Sequence, residues 1–490
     1  MKRIEHLAAI AHDMGLVFEF LGIASLLPFA VLVIFREWDM IIPMASAPVT
    51  FFVLGYLLSR IHQTDYTPPL SVTLVAVALS WFAIALIGAL PFVFGLHISY
   101  TNSVFEAMSG WTGSGFTMLT SIDTTPNTLL FWRSFTQWIG GIGIIAFGIS
   151  LRRKTRVTLF RLYRSEGRSE ELMPNVVSTG RRMWVIYLFL TFAFTGLVML
   201  SGTPLWDSLN LVMVAIATGG FSVHDAGMAY YNNPMLELLL IPVMLAGAMP
   251  FKIYFLAYHG KIKVMFKDQI VQALLLIALI GSAITSLDLY IFNNLPIEQA
   301  IREGTFCAIS GFTTTGLQNS NPHLWASIPI SVVTMMMLIG GASGSTAGGI
   351  KVNRVVLAYE GVKWWFKRFF VSSRVIIPFK YDGRTLSKEI SDLEISKNML
   401  VIVLYVLTIF LSTLLLMHLY ITSFRLDEIV FEEVSALCNV GLGVGYITAA
   451  SPFVVKWVFI LLMWLGRLEI VPVIIMIMGL VKGFEATVTK

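Results

Sequence analysis

The sequence has little charge and almost no cysteine. Asp, Glu, Lys and Arg together make up 13% of its 490 residues, about half the share found in an average soluble domain. The two cysteines, Cys307 and Cys438, are too few to frame a fold with disulfides, and neither has neighbours at metal-ligand spacing. These shortages argue against a disordered chain, a soluble enzyme and a disulfide-framed secreted domain.

Long hydrophobic runs dominate instead. Hydrophobic residues make up 56% of the chain, and ten apolar runs each reach about 20 residues, the length that a helix needs to cross a bilayer. The predicted spans begin near Leu16, Met40, Pro69, Leu129, Met183, Met235, Ile270, Ala326, Met399 and Phe453.

Residues 1–15 carry acidic side chains and no small-residue cleavage site, so we expect no removable signal peptide.

The basic residues predict which way the chain faces. Cytoplasmic loops carry an excess of Lys and Arg, and the loops on one side hold 27 of the 34 basic residues. Both termini are therefore predicted on the cytoplasmic side of a plasma membrane, or of the inner membrane in a Gram-negative cell. Loops 152–182 and 351–397 hold 19 of these residues. Their charge could fix the membrane topology, attract anionic lipid, or bind a regulatory protein. The net charge of +5 is spread over several loops, so no nucleic-acid partner is expected.

Four of the outside loops share one pattern. Each begins with helix-starting residues, continues for about 10–14 helix-compatible residues, which is too few to span a membrane, and ends in a glycine-containing run. Aligned on one glycine, the loops are anchored at Gly115, Gly220, Gly316 and Gly441. A motif that recurs four times between spans predicts an internal repeat of span, re-entrant half-helix and span.

The predicted fold class is an all-α integral membrane protein. Two N-terminal spans precede four span–re-entrant loop–span repeats, which we expect in a pseudo-fourfold arrangement around a central pore. The predicted parts are an N-terminal two-span region (1–66), repeat 1 (67–151), a basic cytoplasmic linker (152–182), repeat 2 (183–260), repeat 3 (261–358), a second basic cytoplasmic linker (359–397) and repeat 4 (398–490).

Such loops have the chemistry to pass a cation. Rings of backbone carbonyls can replace the hydration shell of an ion, and glycine adopts the dihedral angles that turn carbonyls inward at low steric cost. The C-terminal end of each half-helix would add about half a negative charge from the helix dipole. Four loops in one chain therefore predict a cation pathway.

The eighth span contains an unusual stretch, Gly340–Gly349, with five glycines. Each glycine costs about 1 kcal/mol relative to alanine in a helix interior, so the stretch predicts a break in the span. Close packing between helices is an alternative reason for small residues. A phosphate-binding loop is disfavoured because Gly349 is followed by Ile350 and not by lysine.

Arg467 is a second unusual feature, since it falls about 14 residues into the last apolar run. A charge at that depth must face a cavity or a partner. Backbone carbonyls of the Gly340–Gly349 stretch, a carboxylate in a structural ion pair, or both could provide that partner. Glu469 lies on a different helix face from Arg467, so a direct pair between them is not expected.

Several of these motifs together resemble the Trk/Ktr/HKT superfamily of potassium transporters, most closely its TrkH/TrkG type. The motifs are Phe105–Gly110 leading into Gly115, Ser310–Gly316, Asn439–Gly441, Gly340–Lys351 and Trp464–Glu469. The resemblance covers nearly the whole chain. It implies a potassium pathway through a four-loop selectivity filter. The filter residues would be Thr112, Gly113, Ser114, Gly115, Thr218, Gly219, Gly220, Thr313, Thr314, Thr315, Gly316, Cys438, Asn439, Val440 and Gly441.

The resemblance also bears on ion selectivity. In plant relatives, a serine at the first filter glycine accompanies sodium transport, so Gly115 favours potassium. The first loop reads Thr112-Gly113-Ser114-Gly115 where the family more usually has Thr-Thr-Thr-Gly.

The same resemblance implies a gate, cargo and partners. An intramembrane loop below the filter would open and close the path. The gate residues would be Gly340, Gly341, Gly344, Ser345, Thr346, Ala347, Gly348, Gly349, Lys351 and Arg467. The transported ion would be K⁺, with Rb⁺ tolerated, and no covalent cofactor is expected. The partners would be a cytoplasmic nucleotide-binding ring of the TrkA type and a second copy of the chain.

Two other transport mechanisms remain open at this stage. One is a symporter that couples K⁺ to Na⁺ or H⁺, because discontinuous helices also occur in symporters. The other is the potassium-binding subunit of a P-type ATPase complex, although the two N-terminal spans and the Arg467 motif favour the TrkH type. We expect no enzyme activity, since the sequence lacks His-Glu-x-x-His and Gly-x-Ser-x-Gly motifs.

Overall fold

The computed structural model describes residues 2–61, 70–143, 176–371, 377–381 and 384–482. Most of the predicted linker 152–182 and the last eight residues lie outside this part of the chain. The helices of the first half are α1 Lys2–Ala24, α2 Pro28–Phe35, α3 Ile41–Ser59, α4 Leu70–Gly88, α5 Leu90–Leu96, α6 Tyr100–Thr112, α7 Asn127–Ile142, α8 Val176–Met199, α9 Leu205–Ile216, α10 Pro234–Ala248 and α11 Phe251–Tyr258. The remaining helices are α12 Ile262–Lys267, α13 Gln269–Phe292, α14 Ile297–Phe312, α15 Ser327–Ile339, α16 Val352–Phe369, α17 Lys388–Leu419, α18 Leu426–Leu437, α19 Phe453–Arg467 and α20 Val471–Lys482.

Helices account for nearly all regular structure in the described residues, with one small exception. Strands β1 Phe379–Tyr381 and β2 Arg384–Leu386 form an antiparallel hairpin in which Phe379 pairs with Leu386 and Tyr381 with Arg384. The hairpin falls inside the predicted linker 359–397. The predicted all-α fold class is therefore confirmed, and this hairpin is a small addition to it within the described residues.

Six of the ten predicted spans are helices long and apolar enough to cross a membrane. They are Ile4–Phe35, Trp38–Ser59, Ser71–Leu96, Thr179–Met199, Gln269–Phe292 and Ser391–Leu419. Two more predicted spans are helix pairs, α10 with α11 and α19 with α20, bent by 100° and 108°. The runs that begin near Leu129 and Ala326 form the shorter helices α7 and α15, of 16 and 13 residues.

The prediction of unbroken spans at Met235 and Phe453 is wrong for local reasons. At the first bend, Pro250 has no amide hydrogen and holds the preceding Met249 in an extended conformation, with φ −81° and ψ 147°. At the second bend, Glu469 and Ile470 have φ of 57° and 66°, a left-handed conformation that no α-helix continues through. Hydropathy does not detect either break, since both lie inside apolar sequence.

The short helices α6, α9, α14 and α18 occupy equivalent positions. Each packs against the long helix before it, the helix after it, and the corresponding later helix of the preceding unit. The three neighbours are α4, α7 and α19 for α6; α8, α10 and α7 for α9; α13, α15 and α10 for α14; and α17, α19 and α15 for α18. The last unit therefore meets the first, and the four short helices form a closed set.

Candidate functional site

The four short helices end in the same hydrogen-bonded cap. In each, the residue before the anchoring glycine donates its N–H to the carbonyl five residues earlier, at 2.8 Å. The four pairs are Ser114 to Ser109, Gly219 to Val214, Thr315 to Ser310 and Val440 to Ser435. This is the longer bond of a Schellman cap, which turns the chain back sharply at a helix C-terminus.

The cap places two residues of each loop in the left-handed region of φ. The first lies two residues before the anchoring glycine and has φ of 73° at Gly113, 54° at Thr218, 57° at Thr314 and 54° at Asn439. The second is the anchoring glycine, with φ of 76°, 79°, 79° and 101° at Gly115, Gly220, Gly316 and Gly441. A left-handed non-glycine residue costs about 1–3 kcal/mol, yet three of the four loops contain one. The same unusual backbone is therefore built four times.

The four anchoring glycines meet in a ring. A Cβ on Gly115 would lie 2.6 Å from the carbonyl oxygen of Gly219, a distance that real Cβ atoms do not show. The same relation holds around the ring, with Thr315 O against Gly220, Val440 O against Gly316 and Ser114 O against Gly441. One carbonyl of each loop thus abuts the glycine of its neighbour, and only residues without a side chain fit. All fifteen predicted filter residues lie in these four loops.

The side chains of the ring are less symmetric than its backbone. Hydroxyl pairs face each other at 2.8 Å in the first and third loops, between Thr112 and Ser114 and between Thr313 and Thr315. The matching positions are Ala217 and Gly219 in the second loop and Cys438 and Val440 in the fourth. In addition, Asn439 donates from its amide to Ser114 Oγ and to Met463 O, both at 2.8 Å. Neighbouring loops are therefore tied by different bonds.

The predicted gate residues 340–351 form a folded loop between α15 and α16. Its end returns to its start, since the N–H groups of Ile350 and Val352 bond to Leu338 O and Gly341 O at 3.0 and 2.9 Å. Gly340 and Gly349 make this close return with φ of 69° and 79°. The loop also contains Gly341, Gly344, Ser345, Thr346, Ala347 and Gly348 of the predicted set, and Lys351 is the N-cap residue of α16.

The loop of residues 340–351, called the gate loop from here on, packs against the bend between α10 and α11. Ala342 N and Thr346 N donate to Ala248 O and Gly247 O, at 3.0 and 3.2 Å, where α10 ends. Phe251 N, which begins α11, donates to Gly344 O at 3.0 Å. The bend between α10 and α11 therefore exposes backbone groups that the loop satisfies.

The gate loop touches the ring directly. Gly348 N donates to Thr314 Oγ1 at 2.7 Å. Thr346 Oγ1 bonds to Ile216 O at 2.9 Å and to Gly247 O at 2.8 Å, and lies 3.4 Å from Thr218 Oγ1. The two left-handed threonines of the ring are thus held by the loop.

Arg467 lies at the end of α19, beside the second bend, and not inside a continuous span as predicted. Its guanidinium donates to backbone carbonyls of Thr346, at 3.5 Å, and Gly141, at 3.1 Å, and to Gly140 O. It also lies 5.1 Å from the ring of Trp81. Arg467, the gate loop and Asn439 all line a small cavity of about 40 Å³. Of the two kinds of partner considered from the sequence, the contacts of Arg467 include a backbone carbonyl of the loop, that of Thr346.

Glu469 has a different partner from the one considered in the sequence. Its carboxylate forms an ion pair with Arg354 on α16, and Arg354 also donates to Ile350 O at 2.8 Å. The pair therefore links the second bend to the helix that follows the gate loop.

Comparisons with known proteins agree with this arrangement. The family described as "TrkH: Cation transport protein" matches residues 44–482. The chain belongs to the TrkH family. An uncharacterized cation transporter of Methanocaldococcus jannaschii is 32% identical over 469 residues, which are 95% of this chain and 94% of the relative. The Trk system potassium uptake protein TrkH of Halomonas elongata is 27% identical and covers 96% of this chain and 98% of its own.

A solved structure supports the family assignment. The crystal structure of the potassium transporter TrkH from Vibrio parahaemolyticus superposes with a TM-score of 0.83 at 26% identity, over 96% of this chain and 98% of that one. This TrkH-family chain is accordingly a multi-pass membrane protein.

A buried ion pair behind the first loop of this TrkH-family chain was missed in the sequence. Glu106 and Arg133 are both fully buried, and Arg133 Nε donates to Glu106 Oε1 at 2.7 Å. The carboxylate also accepts from Met118 N at 2.7 Å, just past the first anchoring glycine. Arg133 reaches the second loop by donating to Ser222 O at 2.7 Å. The pair therefore clamps two neighbouring loops from behind.

The same position in other loops has a related role. Glu432, like Glu106, lies nine residues before its anchoring glycine, and it accepts from Tyr446 N at 2.7 Å. Cys307 occupies the position in the third loop, where its thiol lies 3.2 Å from Asn319 Oδ1. Glu106 and Glu432, as carboxylates within predicted half-helices, were the available signal in the sequence. A carboxylate that is buried needs hydrogen-bond or ion-pair partners.

Replacing Arg133 with glutamine is expected to destabilise the folded TrkH-family protein strongly. The change leaves Glu106 buried without its cation, which typically costs about 3–5 kcal/mol. The measurement is the fraction of folded protein in detergent after heating, read by size-exclusion chromatography.

Lys397→Gln is the control, because both side chains of the Lys397–Glu394 pair, at 3.5 Å, are exposed, and its loss should cost about 1 kcal/mol or less. Equal losses in the two variants would contradict a clamping role for Arg133.

Proposed function

We propose that this chain is the membrane subunit of a potassium uptake system and conducts K⁺ inward through the ring of four loops. The observation that carries the proposal is the fourfold cap, which sets a carbonyl of each loop against the anchoring glycine of the next. Carbonyl rings of this kind suit the dehydration of a cation. The four half-helices also direct their partly negative C-terminal ends at the ring.

The choice of K⁺ as the cargo is supported by the relatives. Those from Halomonas elongata and Vibrio parahaemolyticus are named for potassium uptake and potassium transport. Glycine at position 115 adds support, because serine there accompanies sodium transport in plant relatives. Rb⁺ should pass as well, since it resembles K⁺ in size and charge.

The gate in this proposal is the loop 340–351. Its hydrogen bonds to Thr218 and Thr314 support a closed position directly beneath the ring. Arg467 adds a positive charge at the same level, and a cation near an ion path raises the barrier to another cation. Opening would require the loop to leave α10 and the ring together.

Inward movement needs no chemical step on this chain. The membrane potential supplies about 2.3 kcal/mol per elementary charge for each 100 mV. Control would then lie in gating by a cytoplasmic nucleotide-binding ring of the TrkA type. We further propose that the protein is a homodimer in the plasma membrane, with both termini in the cytoplasm.

The proposal is tested by uptake of radioactive Rb⁺ into proteoliposomes that hold only this chain, with excess K⁺ inside. We expect uptake without any added Na⁺ or proton gradient, and we expect external K⁺, but not Na⁺, to abolish it. Empty liposomes are the control for leakage.

Two other outcomes favour the alternative mechanisms. Uptake that begins only when a Na⁺ or proton gradient is imposed would replace conduction with symport. No uptake under any gradient, even with a nucleotide-binding partner added, would favour the potassium-binding subunit of a P-type ATPase complex.

A further inference from the structure

Helix α16, which follows the gate loop, carries an exposed aromatic face. The face consists of Tyr359, Val362, Trp365, Phe366 and Phe369, each 49–67% exposed. Residues spaced by three and four along a helix share one side. The rings of Trp365 and Phe369 lie 4.5 Å apart, and those of Trp365 and Phe366 lie 5.4 Å apart. The aromatic face is therefore one continuous patch and not a scatter of single side chains.

The opposite side of α16 is covered by protein. Trp364 Nε1 donates to Ile377 O at 2.9 Å, and its ring packs edge-on against Phe379 of the hairpin at 5.8 Å. Tyr381 Oη donates to Asn353 O at 3.2 Å. Gly361 is buried against Ile395 of α17. The hairpin and α17 pack against the other side of α16. The aromatic face is therefore left exposed by the way the helix is packed.

Three exposed basic residues, Lys363, Lys367 and Arg368, lie on α16 outside the aromatic face, and Glu360, the one acidic residue between Tyr359 and Val371, pairs with Lys363 at 3.6 Å. Lys363 lies 5.7 Å from the ring of Tyr359, and the guanidinium of Arg368 lies 4.8 Å from the ring of Trp364. Aromatic side chains with Lys and Arg around them are typical of helix surfaces at a membrane interface. The positive charges favour an anionic surface over a neutral one.

The depth of α16 agrees with that placement. Helix α15, before the gate loop, has 13 residues and so extends about 20 Å at 1.5 Å per residue, against about 30 Å of hydrocarbon. The first two turns of α16 would cross roughly the remaining 10 Å. Buried Val352, Val356 and Leu357 lie in these turns, and the aromatic face begins directly after them, at the level of the headgroups.

We propose that the aromatic face of α16 binds the anionic phospholipid headgroup layer of the cytoplasmic leaflet. The rings sit at the boundary between acyl chains and headgroups, and Lys363, Lys367 and Arg368 attract the phosphates. The inference rests on exposure, charge and helix length. It does not depend on which ion the protein carries.

The test uses the full chain with Phe366→Cys, labelled with a fluorescent maleimide and reconstituted in vesicles. The native cysteines, Cys307 and Cys438, are both buried, so the label goes to position 366. Nitroxide-labelled phosphatidylglycerol and nitroxide-labelled phosphatidylcholine are compared as quenchers. We expect half-maximal quenching at a lower mole fraction of phosphatidylglycerol than of phosphatidylcholine, by up to about fivefold for each effective basic residue. Replacing Lys363, Lys367 and Arg368 with glutamine should bring the two lipids close to parity.

A label at Leu279→Cys provides the control. Leu279 is 70% exposed on the spanning helix α13, where both lipids should quench equally. Phe369→Cys gives a second position on the same face if Phe366→Cys does not fold.

Three outcomes would overturn the proposal. Equal quenching by both lipids at position 366 would remove the charge preference. Quenching by aqueous iodide without quenching by lipid would place the face in water. A disulfide between two chains at position 366, with no lipid quenching, would identify a second copy of the protein as the occupant.

Discussion

Serine in place of Gly115 is expected to let Na⁺ compete with K⁺ while the protein stays folded. The added Cβ would lie 2.6 Å from Gly219 O and 3.2 Å from the Cα of Gly441, so the ring must widen. The φ of 76° at Gly115 adds backbone strain, which costs about 1–3 kcal/mol for such a residue. A widened ring no longer matches K⁺ closely, so we expect a several-fold loss of the preference for K⁺ over Na⁺. The measurement compares the external K⁺ and Na⁺ concentrations that halve Rb⁺ uptake.

The same substitution at two other glycines makes the test specific. Gly196 on α8 has no atom within 4 Å of its added Cβ, so Gly196→Ser should leave the K⁺ preference unchanged. At Gly316 the added Cβ would overlap the carbonyl of Val440, so Gly316→Ser should abolish uptake altogether. An unchanged K⁺ preference in folded Gly115→Ser would remove Gly115 from the filter.

Deletion of Gly344–Gly348 is expected to raise Rb⁺ uptake. The deletion removes the bond from Gly348 N to Thr314 and both bonds from Thr346 Oγ1, which are the contacts that hold the loop beneath the ring. Thr346→Val is a milder version, because it removes the hydroxyl and keeps the shape. The hydroxyl has one proton, so its contacts with Ile216 O and Gly247 O count as one shared hydrogen bond. At about 0.5–1.5 kcal/mol, its loss should increase the open population and the uptake rate about two- to tenfold.

Thr334→Val is the control for the gate prediction. Its hydroxyl bonds only within α15, to Ile330 O at 2.7 Å, so the uptake rate should stay the same. Loss of folded protein in Thr346→Val, with no gain in uptake, would instead favour the interpretation that small residues in the loop serve helix packing.

The positions of the ring and the gate loop could be predicted because they depend on local chemistry. Gly115, Gly220, Gly316 and Gly441 stand at one place in a repeated pattern, and each has the positive φ that glycine adopts most easily. For the same reason, the five glycines between residues 340 and 349 predicted a break in the eighth span. Sequence patterns of this kind report the backbone directly.

Features that depend on contacts between distant residues could not be predicted. Glu106 and Arg133 are separated by 27 residues, and no local sequence pattern indicates that the two side chains form a pair. The bends after α10 and α19 were hidden by hydropathy, which measures composition and not direction. Pro250 and Pro472, each close to one bend, were the local signals, whereas the left-handed conformations of Glu469 and Ile470 depend on their surroundings.

The four loops share a backbone but belong to one polypeptide. In an assembly of four identical chains, one codon change alters all four quarters at once, whereas here it alters a single quarter. Thr112-Gly113-Ser114-Gly115 therefore stands next to Ala217-Thr218-Gly219-Gly220 on the same left-handed scaffold. Each quarter can therefore vary by itself: the second and third loops contact the gate loop, whereas the buried ion pair lies behind the first. The effect of a point mutation on the ring is graded for the same reason, because each mutation changes only one of the four loops.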